Sequence, residues 1–110
     1  MKVVFKPWGD FKQFTLNEIS TVKILEVNPN QSLSLQKHKK RKEMWYFITE
    51  GNIILGKNKK KIKSGDVVII NKNTPHSLYA KNKPVKVLEV SYGKFDEYDI
   101  TRISDKYGRT

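Results

Sequence analysis

A small all-β barrel or sandwich is the fold this sequence predicts, and three observations predict it. Its apolar segments alternate with polar residues or run β-branched, turn residues interrupt them every eight to twelve positions or so, and helix signals are scarce. The 110 residues fall below the usual allowance of about 150 per domain, so a single domain over 1–110 around one modest core is expected. Two Trp, five Tyr and five Phe supply enough bulk for a packed interior and argue against wholesale disorder.

The first clear strand is Thr21 to Val27 (TVKILEV), β-branched and closed by Asn28-Pro29-Asn30. Ser32 to Gln36 (SLSLQ) alternates polar and apolar, as a half-buried strand does. Trp45 to Thr49 and Asn52 to Leu55 flank Glu50-Gly51, which reads as a hairpin turn. Lys59 to Lys63 is a basic strand, Ser64-Gly65-Asp66 a turn, and Val67 to Ile70 a buried strand stopped by the loop Asn71 to Pro75. His76 follows that loop directly. Val85 to Ser91 (VKVLEVS) is the last clear strand, and the tail from Asp96 to Thr110 reads equally as a short helix or an edge segment. No repeat, linker or low-complexity tract divides the chain.

Composition excludes several functions. The chain has no cysteine, which removes disulfide scaffolds, thiolate nucleophiles and Cys-based zinc or iron–sulfur sites. A metal must therefore use His, carboxylate or amide ligands. Apolar runs are only a handful of residues long, against about 20 for a spanning helix, so no membrane partner is expected. The start, MKVVFKPWGD, lacks the apolar core of a signal peptide, which makes the cytoplasm the expected compartment. The net charge of +11 invites a nucleic-acid reading, with Lys37 to Lys42 and Lys57 to Lys63 as basic runs. No helix-turn-helix, zinc-finger or RNP pattern accompanies it, the excess is nearly all lysine, and a basic mouth also attracts a small anionic ligand, so a nucleic-acid partner is not expected.

Both histidines, His38 and His76, lie at predicted strand ends beside turn-rich loops, where barrels carry their sites. His38 follows Gln36 by two residues, which on a strand puts both side chains on one face. Glu43 follows after a short basic loop. If the two strands are neighbours, an amide oxygen, an imidazole and a carboxylate converge, and His76 completes the set from a later strand. Mixed N/O ligands of this kind suit Zn, Fe, Mn, Co or Ni.

That spacing resembles the cupins, whose motifs are H-x-H-x(3,4)-E-x(6)-G and G-x(5)-P-x-G-x(2)-H-x(3)-N. In the first, Gln36 takes the first His position, His38 the second, and Glu43 the Glu, while Gly51 comes one residue late. In the second, Gly65, Asn71, Asn73 and His76 stand at the Gly, Pro, Gly and His positions, with Asn73 suited to a positive φ, and Ala80 replaces the final Asn. The run LSLQKHKKRKEMW is similar to the phosphomannose isomerase signature, in which Gln, His, Glu and a later His bind the metal. Lys6-Pro7-Trp8-Gly9 with Phe11 resembles the R-P-W-G-x-Y opening of the isomerase-like domain of bacterial type II phosphomannose isomerase/mannose-1-phosphate guanylyltransferase. Asp99-Ile100-Thr101-Arg102 with Asp105-Lys106-Tyr107-Gly108-Arg109 resembles its D-I-x-R-x-x-D-x-Y-G-R ending.

The resemblance implies a single-domain cupin, that is, a double-stranded β-helix or jelly-roll barrel, with one divalent metal ion on Gln36, His38, Glu43 and His76. Zinc is the first expectation, with Mn, Co, Ni or Fe as alternatives. The implied reaction interconverts mannose 6-phosphate and fructose 6-phosphate through a cis-enediol. It needs a Lewis acid, a base and cations for the phosphate. Glu89 is the candidate base, set against a place facing solvent. Arg102 is the candidate for enediolate or phosphate charge, set against a surface ion pair with Asp99 or Asp105. Arg41 is a second phosphate candidate. Trp45 shares a face with Glu43 and is either a sugar-stacking wall or core, and Trp8 is equally ambiguous. No glycine-rich nucleotide-binding loop is visible, so guanylyltransferase activity is not expected. The rivals are a cupin that only binds metal or sugar, and an isomerase of another phosphosugar. A homodimer is expected by analogy with other small cupins.

Overall fold

The computed structural model describes residues 1–109, and no helix occurs among them. Eleven strands follow in chain order: β1 (Lys2–Lys6), β2 (Gly9–Gln13), β3 (Ser20–Val27), β4 (Leu35–Lys37), β5 (Glu43–Phe47), β6 (Gly51–Leu55), β7 (Asn58–Ile62), β8 (Val67–Ile70), β9 (His76–Tyr79), β10 (Val85–Tyr92) and β11 (Thr101–Ser104). They form three antiparallel sheets. The first is the β1–β2 hairpin alone, the second runs β3-β10-β5-β8, and the third runs β11-β4-β9-β6-β7. The second and third sheets bury a common core, in which Val27, Trp45, Phe47, Ile70, Val85 and Val87 meet Ile53 and Leu78.

The strand expected over residues 21–27 is β3, that over 59–63 is β7, that over 67–70 is β8, and that over 85–91 is β10. The tail contributes β11, which pairs with β4 at the edge of its sheet. Strand β4 is shorter than the SLSLQ alternation predicts, because Ser32 makes only an isolated bridge to Tyr79. Asn73 adopts φ 61° in the loop before β9, as its place in the motif requires.

Two differences follow from packing across the barrel. The residues either side of Glu50-Gly51 do not form a hairpin: β5 pairs with β10 and β8, whereas β6 pairs with β7 and β9. The chain crosses here from one sheet to the other, squeezed against Val85 and Phe47. A Cβ on Gly51 would lie 2.6 Å from Val85 Cγ1 and 2.9 Å from Phe47 Cε2, so only glycine fits the corner. The true hairpin is β6–β7, turned by Gly56 at φ 61° and Lys57. The second difference is the β1–β2 hairpin, which no alternation announces. Pro7 and Trp8 form its tip between paired Lys6 and Gly9, and Trp8 is 73% exposed, so it is not core.

Inward positions on β5 and β10 read Glu43, Trp45, Phe47 and Val85, Val87, Glu89, Ser91. Strand pairing aligns Phe47 with Val87, Trp45 with Glu89 and Glu43 with Ser91. The interior is thus apolar at one end of these strands and polar at the other, and the polar end is where the histidines arrive.

Candidate metal centre

Glu43 opens β5 and points inward, because Trp45 and Phe47 on the same face fill the core at two-residue intervals. His76 opens β9 directly after the Asn73 turn, and His38 follows β4. His38, Glu43 and His76 are all buried, and their candidate ligand atoms lie within 4.8 Å of one another. Each imidazole Nε2 is 3.4 Å from Glu43 Oε1, and the two rings stand 4.9 Å apart at 56°.

The tautomers follow from the hydrogen bonds. His38 Nδ1 lies 2.7 Å from the Asp99 carbonyl and His76 Nδ1 lies 2.9 Å from the Thr74 carbonyl. A carbonyl only accepts, so each Nδ1 carries a proton, and a ring in its neutral form turns its Nε2 lone pair toward Glu43. Glu43 Oε2 is occupied, accepting from Arg41 Nε at 3.2 Å and Ser91 Oγ at 3.0 Å. Glu43 Oε1 and His76 Nε2 are buried without a hydrogen bond. Acceptors facing one another in a dry interior are costly unless a cation sits among them. The donor set therefore fits a divalent metal, and the Nδ1–H bonds to carbonyls are the outer support that orients metal-binding histidines. Burial pushes the Glu43 carboxyl up, but when the rings of His38 and His76 carry a proton on Nε2 their contacts outweigh it and hold the group below the ordinary carboxylate range.

Gln36 joins this group by register. It pairs with His76 on one side and Arg102 on the other, so the three side chains share a face of their sheet. Its Oε1 accepts from Ser34 Oγ at 3.1 Å. Arg102 is half-buried in this row. Asp105 holds Arg109 at 2.9 and 3.0 Å, and Asp99 accepts the backbone N–H groups of Lys39 and Lys40, both at 2.9 Å. Burial works against ionisation of Asp99, yet those two N–H bonds bring its carboxyl below the usual range.

Glu89 faces the interior rather than solvent. It is 7% exposed, sits across from Trp45, and accepts from Trp45 Nε1 at 3.0 Å. Burial, with the nearby Glu43 charge second, pushes its carboxyl above the usual range. Trp45 is fully buried core whose indole also meets the His76 ring edge-on at 5.5 Å, so it braces the site and offers no exposed stacking face. Arg41 is turned inward: besides Glu43 it donates from Nη1 to the Asp96 carbonyl at 3.0 Å, and its Nη2 lies 3.3 Å from His38 Nε2. A metal on that lone pair would compete with this last contact.

Ser91, Asp96 and Asp99 escaped the sequence reading as site residues, since nothing local in their surroundings marks them. The closing motif has a structural task. Lys106 Nζ donates to the Asn30 carbonyl at 2.6 Å and the Tyr107 hydroxyl bonds Gln31, fastening the tail to the loop after β3. No helix is long and apolar enough to cross a membrane among the described residues.

Comparison with known proteins agrees with this geometry. The family described as "Mannose-6-phosphate isomerase C-terminal" matches residues 1–105. The chain is 31% identical over 110 residues to "Xanthan biosynthesis protein XanB" of Xanthomonas campestris, covering 97% of this chain and 24% of that protein. It is 29% identical over 109 residues to "Mannose-1-phosphate guanylyltransferase ManC" of Salmonella typhimurium, covering 96% and 23%. The chain thus spans about a quarter of the length of these relatives. Among solved structures it superposes on a cupin 2 conserved barrel domain protein from Rhodopseudomonas palustris with a TM-score of 0.67 at 19% identity, over 80% of this chain and 61% of that one, a likeness of fold.

Proposed function

The chain belongs to the mannose-6-phosphate isomerase C-terminal family, and from that premise we propose that it is a metal-dependent isomerase interconverting mannose 6-phosphate and fructose 6-phosphate through a cis-enediol. The observation that carries the reading is the buried meeting of His38 Nε2, His76 Nε2 and Glu43 Oε1, the last two without a hydrogen-bond partner, beside a second buried carboxyl, Glu89.

In this reading Gln36, His38, Glu43 and His76 hold a divalent ion, with zinc the first expectation. When bound, such an ion supplies Lewis acidity toward the sugar oxygens at C1 and C2. Glu89 takes the proton from one carbon and returns it to the other. Its raised pKa suits that task, since a base works best with a pKa near the operating pH. The Trp45 indole N–H fixes which Glu89 oxygen stays free, by holding Oε2. Arg102, in the row with Gln36 and His76, places positive charge beside the developing enediolate.

The test is purification without chelator, metal analysis by mass spectrometry, and an assay of mannose 6-phosphate conversion with and without zinc, manganese or cobalt. About one metal per chain and metal-dependent turnover are expected, falling at least 100-fold in His38→Ala. Metal bound near that ratio without turnover of mannose 6-phosphate would overturn the reaction and leave the site. The second reading, metal or sugar binding alone or another phosphosugar, is favoured by one fact: the relatives above are named for guanylyl transfer and polysaccharide biosynthesis, and the chain spans about a quarter of them.

A further inference from the structure

At the mouth of the polar end, one phenyl ring is held by two cations, Lys23 and the Arg41 that also donates to Glu43. Lys23 lies on β3 directly across from Glu89, which places its side chain on the inward face of the sheet. Its Nζ rests 4.2 Å from the centroid of the Phe95 ring, and the guanidinium carbon of Arg41 lies 4.6 Å from the same centroid. Lys23 is exposed to solvent and makes no close ion pair with a carboxylate among the described residues; its ammonium rests on the ring's face and acts at longer range on Glu89.

A ring face is a weak partner for an ammonium and a guanidinium, whereas a phosphate oxygen is a strong one. A lysine without a close carboxylate partner, turned toward a barrel mouth next to an arginine whose position is fixed by Glu43 and Asp96, is charge placed for an anion that arrives from solvent. The interior sets which way round that ligand enters. The cationic groups of Lys23 and Arg41 stand at the mouth, whereas Glu43, Glu89 and Trp45 fill the buried space beneath. The anionic end therefore stays at the mouth and the neutral sugar end goes inward, toward His38 and His76. Phe95 stands on the segment after Gly93, whose φ of 81° makes a sharp turn leaving β10, so the ring is carried by a short strap rather than by a strand.

We propose that Lys23 and Arg41 together hold the phosphate of a phosphorylated sugar, and that Phe95 occupies their grip until the phosphate displaces it. The sugar's identity rests on the isomerase reading above; the anion clamp itself requires only a phosphorylated ligand.

Lys23→Gln is the direct test, since an exposed lysine is replaceable without loss of the fold. By calorimetric titration of the metal-loaded protein, Lys23→Gln is expected to weaken both mannose 6-phosphate and inorganic phosphate about tenfold, with unphosphorylated mannose unaffected. Lys23→Arg keeps the charge and is expected to stay within about twofold of the parent. Phe95→Ala removes the competing ring and is expected to tighten inorganic phosphate about threefold. Binding of both anions unchanged in Lys23→Gln, no saturable binding of either anion, or weaker phosphate binding in Phe95→Ala would each overturn the clamp. The two readings separate cleanly. Lys23-dependent phosphate binding without turnover keeps the clamp and removes the isomerase, whereas turnover with a KM indifferent to Lys23→Gln does the reverse.

Discussion

The interior of this barrel has two ends built on the same strands and equally hidden from water, and they are held together in opposite ways. At one end Phe47, Ile53, Leu78 and Val87 are fully buried and mutually satisfied by contact. At the other, Glu43 and His76 are as deeply buried but present acceptors to each other. Burying apolar area stabilises by roughly 25 cal/mol per Å², while an unpaired buried polar group costs about 1–3 kcal/mol. The apolar end therefore carries the fold and the polar end draws on it. Their union on single strands explains how a chain of this size maintains a site that is unfavourable without a ligand.

The comparison breaks most visibly at the apolar end. Phe47→Ala is expected to cost about 3–5 kcal/mol of unfolding free energy in urea denaturation, with metal stoichiometry unchanged wherever the protein remains folded. At the polar end the sign is expected to change. Glu43→Gln keeps the shape, and its amide can donate to a histidine Nε2 while its oxygen still accepts from Ser91 or Arg41. Metal affinity should fall at least 100-fold, yet the metal-free variant should unfold at a denaturant concentration equal to or above that of the parent. A large loss of metal-free stability would show that the two ends are not opposed as described.

The smallest effect sharpens the contrast through pH. Glu89 has its pKa raised in the fold, so the uncharged form is favoured there. Its contribution to stability is present in full below the unfolded carboxyl range and is lost as pH rises through the folded value. Glu89→Gln should remove that loss, so that the denaturation midpoint changes less between pH 4 and neutrality than in the parent. An identical pH profile in the two proteins would contradict the assignment.

What was legible in the sequence is what is local. Gln36 and His38 share a face because two residues separate them, and Asn73 could be recognised as the positive-φ position because the turn lies within five residues of His76. Strands β3, β8 and β10 show themselves by alternation or by β-branched runs. The β1–β2 hairpin does not, because it packs no face into the core and its tip is Pro7-Trp8 rather than an Asn-Gly or Asp-Gly pair. Glu50-Gly51 has the local chemistry of a hairpin turn, and only contact with Val85, far along the chain, makes it a crossing between sheets. The groups that complete the site were illegible for the same reason. Ser91 meets Glu43 across 48 positions of sequence, and the Asp99 carbonyl meets His38 across 61.

That last contact governs when the site comes into being. His38 is oriented by a carbonyl near the end of the described chain, and the Asp99 side chain fixes the Lys39–Lys40 backbone beside it. Contacts of such long sequence separation form late, because loop closure must be achieved before they return anything. During synthesis the first ligands leave the ribosome well before the segment that aims one of them. A nascent chain thus carries His38 and Glu43 before the Asp99 segment that orients His38 has been made.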